Sequence, residues 1–150
     1  MFITDLSILT RYSRTFFERR LREINIGFTE QLLLQYLFHC ETVNQDTIAK
    51  HFMLDKGSIA KTLNKLEKKK LVVRVDNPNN KRKKLVSITE NAQEIMVQVN
   101  EELQVWHKYL FEGITKEELE AFNQILSKMS VNAVKVIDGR NAEYEKSKGK

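Results

Sequence analysis

Ser58, Lys61, Thr62, Lys65 and Lys69 are spaced i, i+3, i+4, i+7 and i+11, so on a helix they fall on one polar stripe. A helix carrying such a stripe fits the major groove of duplex DNA. There lysine donates to guanine acceptors, and Ser or Thr reaches bases or phosphates. The other face of the same segment holds Ile59, Leu63 and Leu66 and is directed at a core. Free amides and the positive end of the helix dipole near Lys56, Gly57 and Ser58 favour a phosphate. A second cationic run follows at Lys81-Arg82-Lys83-Lys84.

Charge is concentrated around these residues. From Lys50 to Lys84 there are twelve Lys or Arg and three acids, a net +9, while the remainder of the chain is net −4. A basic middle in an acidic frame points to one polyanion-binding surface rather than to a chain that is basic throughout. The 150 residues fit one ordinary domain, and 41% hydrophobic with 30% charged residues is a soluble globular mix. Cys40 is the only cysteine, which suits a reducing compartment and forms no internal bridge. The N-terminal Met1-Phe2-Ile3-Thr4-Asp5 lacks a secretory pattern, and no run reaches the eighteen or so apolar residues of a membrane helix. A cytoplasmic location with no membrane partner is expected.

The elements that position the stripe follow from periodicity and caps. Leu6, Leu9, Tyr12, Phe16, Phe17 and Leu21 outline a first helix, with Gly27 available for a left-handed cap. A second helix is expected over about 29–40, capped by Thr29, with Leu32, Leu33, Tyr36 and Leu37 on its buried side. Asn44 caps a short helix containing Ile48, Ala49 and Phe52, and Asp55 caps the helix that carries the stripe. The small Ala49 lets these two helices cross closely. Residues 72–75 and 85–88 are rich in β-branched types and flank the turn Asp76-Asn77-Pro78-Asn79-Asn80, a two-stranded hairpin with Lys81 to Lys84 at its tip. A long helix runs from Glu90 towards Gly113. The capping box Thr115-Lys116-Glu117-Glu118 opens a last one through Leu119, Phe122, Leu126, Met129 and Val136. Residues 141–150 lack apolar periodicity and read as a disordered tail. The expected fold is mainly α with a small β-hairpin: a winged helix-turn-helix over 28–89, between helical regions 1–27 and 90–140.

These residues resemble the MarR family of transcription regulators along nearly the whole chain. The run from Asp55 to Val72 looks like that family's recognition helix and its exit. Arg74 to Thr89, with Asn80-Lys81-Arg82 and a strand ending Ser87-Ile88-Thr89, looks like its wing. The resemblance implies a sequence-specific, double-stranded DNA-binding regulator and a ligand-responsive repressor. It also implies a homodimer whose termini interlock on a pseudo-palindromic operator, the two recognition helices lying roughly 34 Å apart. DNA contacts are expected from Lys56, Ser58, Lys61, Thr62, Lys65, Lys81, Arg82 and Lys83, with Arg82 in the minor groove. A small aromatic effector is expected in a crevice lined by Tyr12, Phe16, Tyr36 and Trp106. Three positions depart from the family pattern. Asn80 stands where an aspartate commonly braces the wing, which predicts a looser tip without an ion pair. Lys70 and Met53 stand where glycines are usual.

Other chemistries find little footing. No Ser-His-Asp pattern, phosphate-binding Gly-rich loop or HExxH motif occurs, so no catalytic residue, cofactor or metal is assigned. His39, Cys40, Glu41 and His107 lack metal-ligand spacing, and Cys40 has no basic neighbour in sequence to favour a thiolate. The alternatives are a metal- or redox-responsive regulator of the same fold, and a basic protein- or membrane-surface module.

Overall fold

The computed structural model describes residues 1–137, apart from the side chain of Lys81. The expected tail at 141–150 and the end of the 90–140 region lie outside the described residues. The chain divides into a unit spanning Met1–Tyr109 and a second from Leu110 onward.

In the first unit α1 (Phe2–Arg20) is followed by α2 (Phe28–Phe38), β1 (Val43–Asn44), α3 (Gln45–Phe52), α4 (Lys56–Lys68), β2 (Val72–Asn77), β3 (Asn80–Ile88) and α5 (Glu90–Leu110). Two of the expected caps form. Asn44 Oδ1 accepts the Thr47 N–H at 2.9 Å, and Asp55 Oδ1 accepts the Ser58 N–H at 2.8 Å. Each satisfies a first-turn amide that would otherwise lack a partner.

The connection between α1 and α2 differs from expectation. Asn25, not Gly27, takes the left-handed conformation (φ 52°), and Gly27 becomes the N-cap of α2 at φ −78°. With no side chain on Gly27 and no cap from Thr29, Glu30 reaches back to accept the Gly27 N–H at 2.8 Å. The helix thus begins one residue earlier and ends at Phe38. Leu33, Leu34 and Leu37 are buried, whereas Leu32, expected on the buried side, is exposed.

The sheet is also larger than a hairpin. β3 lies between β1 and β2 and pairs antiparallel with both, Val43 opposite Val86 and Val72 opposite Ile88. The strands reach to a tight turn at Pro78-Asn79, so Lys81 to Lys84 lie along β3 rather than beyond its end. Asn77 Oδ1 accepts the Asn79 N–H at 2.9 Å and Asn80 Oδ1 accepts the Arg82 N–H at 3.1 Å. Asn80 thus makes a local hydrogen bond to the strand backbone where an aspartate ion pair is common in the family pattern.

The core is the meeting of these elements. Leu34, Leu37, Ile48, Leu63, Leu66, Val86, Met96 and Val99 are sealed from solvent, and Ala49 is buried where a small residue was expected at the α3–α4 crossing. At roughly 25 cal/mol per Å² of apolar surface, each fully buried Leu or Ile contributes about 2 kcal/mol. That burial clamps α4 by one face and leaves its polar face outward. Met53 and Lys70, the two positions lacking glycine, are both left-handed (φ 52° and 58°), at a cost of about 1 kcal/mol each. Thr89 stabilises the second site: its hydroxyl donates to the Lys70 carbonyl at 2.9 Å and accepts the Ala92 N–H at 3.2 Å.

The second unit contains α6 (Lys116–Ile137). Its capping box is complete, with Glu118 Oε2 accepting the Thr115 N–H and Thr115 Oγ1 accepting the Glu118 N–H. Over 22 residues it buries none, although Phe122, Ile125 and Met129 are apolar and exposed.

Candidate nucleic-acid interface

Burial of Ile59, Leu63 and Leu66 fixes the rotation of α4, and periodicity then dictates what faces outward. Ser58, Lys61 and Lys65 are exposed and Thr62 is half-buried beside them. Among the described residues Lys61 and Lys65 make no hydrogen bond or ion pair. Their ammonium groups are six hydrogen-bond donors in all with nothing but solvent to receive them. Thr62 donates its hydroxyl to the Ser58 carbonyl at 3.2 Å, and Ser58 donates its own to Asp55 Oδ2 at 2.6 Å. Both oxygens can still accept. Asp55 therefore occupies the helix N-terminus that was expected to favour a phosphate. These hydrogen bonds from Ser58, side chain first and backbone second, hold its carboxyl below the ordinary aspartate value.

Lys69, the last residue of the expected stripe, faces elsewhere. Its ammonium donates to Glu30 Oε2 at 2.7 Å and to the Asn25 carbonyl at 2.6 Å, tying the end of α4 to the start of α2. It holds structure and is not part of the outward set.

Arg74 crosses from β2 back to α4, donating to the Asn64 side chain and to Glu67 Oε2 at 2.5 Å. The hydrogen bond from Arg74 keeps the Glu67 carboxyl below its ordinary value. On β3 the Arg82 guanidinium is exposed and makes no ion pair among the described residues, Lys84 pairs with Asp76, and Lys83 turns towards α3. There Asp46 receives Lys56 on Oδ1 at 2.8 Å and Lys83 on Oδ2 at 3.1 Å. Hydrogen bonds from Lys56 first and Lys83 second hold the Asp46 carboxyl below its ordinary value. The structure thus brings Lys56 and Lys83 onto one carboxylate, and Ser58, Lys61, Thr62 and Lys65 onto one helix face. Sequence reasoning missed Asp46, Arg74 and Glu67. The available signal was the acid in the first turn of α3, which reads locally as a helix-dipole partner and nothing more.

The four aromatic residues expected to line a crevice do not gather. Phe16 packs on Trp106 with ring centroids 4.8 Å apart, whereas Tyr36 stacks on His51 at 4.1 Å and meets Phe52 edge-on. Tyr12 is exposed, with the Arg11 guanidinium 5.3 Å from its ring. Burial, then the neighbouring Cys40 thiol, pushes the Tyr36 phenol up. A groove of about 550 Å³ between α2 and α5, lined in part by Phe38, His39, Cys40 and Val97, includes none of the four. Among the described residues no three His, Cys, Asp or Glu side chains converge as a metal site, and no helix is long and apolar enough to cross a membrane.

Comparison with known proteins agrees with this geometry. The MarR family model matches residues 29–84, from the first turn of α2 into β3. A crystal structure of MarR is 29% identical, with a TM-score of 0.70 over 90% of this chain and 91% of that one. A single-site mutant of MarR from E. coli complexed with operator DNA is 22% identical, with a TM-score of 0.72 over 83% and 89%. The S. aureus MepR–DNA complex is 19% identical, with a TM-score of 0.78 over 88% and 98%. The chain thus has the fold of these MarR and MepR structures, and its match to the MarR family model lies at residues 29–84.

Proposed function

We propose that this chain is a sequence-specific, double-stranded DNA-binding transcription regulator that acts as a homodimer on a pseudo-palindromic operator. The observation that carries the proposal is the outward face of α4, where Lys61 and Lys65 lie unpaired among the described residues beside Ser58 and Thr62. A core-clamped helix with free donors in a row has the shape and chemistry of a major-groove reader. Arg82 on β3 is the minor-groove contact, and Lys56, Lys81 and Lys83 attract phosphates. Residues 28–89 are the reading part; α1, α5 and α6 belong to the dimerisation part, with the exposed apolar side of α6 facing the partner. The solved complexes of MarR and MepR with DNA support this by likeness of fold. A repressor role and response to a small aromatic effector rest on the family likeness alone.

The test is a salt titration with labelled duplex DNA carrying a sequence selected from genomic fragments, run beside anionic phospholipid vesicles. If the dimer neutralises roughly six to ten phosphates, affinity for the duplex should fall about a thousandfold between 50 and 200 mM salt. A near-flat salt response, or vesicles bound as tightly as the selected duplex, overturns the proposal in favour of a general anionic-surface module.

A further inference from the structure

Asp46 is an acid set between two lysines of the basic segment. It sits in the first turn of α3 with its side chain three-quarters covered (26% exposed), and each carboxylate oxygen receives a different lysine. Lys56 comes from the first residue of α4 and Lys83 from β3, and their side chains remain 72% and 48% exposed. Two ammonium groups on two oxygens of one anion is the arrangement those lysines would make with a backbone phosphate. Exposed pairs of this kind are weak and salt-screened, so a phosphate can displace the carboxylate. The carboxylate nevertheless stays beside the lysines as a negative charge facing the polyanion.

We infer that Asp46 is an internal competitor for DNA phosphates, a brake on sequence-independent binding built into the reading surface. This role rests on the DNA-binding function proposed above. Non-specific affinity is almost wholly phosphate attraction, so occupying two cations with an internal anion lowers it whatever the base sequence. Lys61 and Lys65, which have no such partner among the described residues, keep their full donor capacity for the groove.

The experiment measures anisotropy of a labelled random-sequence duplex titrated with the full chain between 50 and 200 mM salt. It compares the natural protein, Asp46→Asn, and the pair Lys56→Gln/Lys83→Gln with and without Asp46→Asn. Asp46→Ser, which keeps a hydroxyl in the first turn of α3, serves as a second variant, and thermal melting verifies folding of each. Asp46→Asn should bind the random duplex several-fold tighter at 50 mM. Its log-affinity against log-salt slope should steepen by about one for each lysine released. In the Lys56→Gln/Lys83→Gln background the gain should fall by more than half. Unchanged or weaker binding by both folded Asp46 variants overturns the inference, as does a gain that persists in full without the two lysines. A natural protein that binds no duplex at 50 mM overturns the DNA-binding function itself, a result distinct from either.

Discussion

The outward face of α4 and the apolar side of α6 are both left incomplete, in opposite ways. On α4 the apolar residues are sealed, and Lys61 and Lys65 on the outward face lack partners among the described residues. On α6 no residue is buried, and Phe122, Ile125 and Met129 stand exposed at helical spacing. Unpaired cations on a rigid helix are stable in water and wait for a polyanion. Large apolar side chains in a row are not at rest in water, because roughly 25 cal/mol per Å² favours covering them. The first region is suited to a partner whose binding weakens with salt, the second to one whose binding depends on concentration and hardly on salt. The proposed reading and assembly would thus draw on different physical forces within one chain.

The sharpest break in that contrast comes from charging α6. Phe122→Asp with Ile125→Asp removes two apolar side chains worth about 2 kcal/mol each from the proposed dimer contact and adds two carboxylates to be desolvated. The dimer dissociation constant should rise by more than about a hundredfold, with a loss of at least about 3 kcal/mol. Because Phe122 and Ile125 are both exposed, helical content should change little. Sedimentation equilibrium and circular dichroism on the same samples check both halves. An unchanged dimer constant removes α6 from the interface.

A smaller effect separates holding from reading inside α4 itself. Lys69→Met leaves the Glu30 carboxylate, only 9% exposed, without its cation and unties α4 from the α1–α2 connection. Stranding a largely buried charge should cost about 2 kcal/mol of folding stability, less than a fully buried pair because Lys69 is 30% exposed. Urea unfolding gives the number. A variant as stable as the natural protein but defective in DNA binding would return Lys69 to the outward stripe.

What was legible in the sequence is what is local. Asn44, Asp55 and the Thr115–Glu118 box each join a side chain to an amide three residues away, so the residue type and its spacing contain the whole interaction. The rotation of α4 was legible for the same reason, since Ile59, Leu63 and Leu66 repeat within the helix. The pieces that escaped are set by distant partners. β1 is two residues long and exists only because Val43 and Asn44 find Val86 and Leu85. Lys69 fits a surface stripe by spacing, yet its ligands Glu30 and Asn25 are 39 and 44 residues away. Asp46 likewise gains its role from Lys56 and Lys83, which folding delivers from two other elements. The aromatics expected at a crevice sit on three helices, and the neighbours each packs against, Trp106 for Phe16 and His51 for Tyr36, are likewise set by folding.

Whether α4 reads bases while β3 holds the backbone is met most directly by competition of Lys61→Ala and Arg82→Ala against a randomised operator library. Lys61→Ala should lose on the order of 1–3 kcal/mol on the preferred sequence and relax preference at one position in each half-site. Arg82→Ala should weaken binding across sequences, apart from a lost preference for narrow A·T-rich minor groove. If Lys61→Ala instead lowers affinity uniformly and leaves every base preference intact, Lys61 is a phosphate clamp and α4 does not read the groove through it.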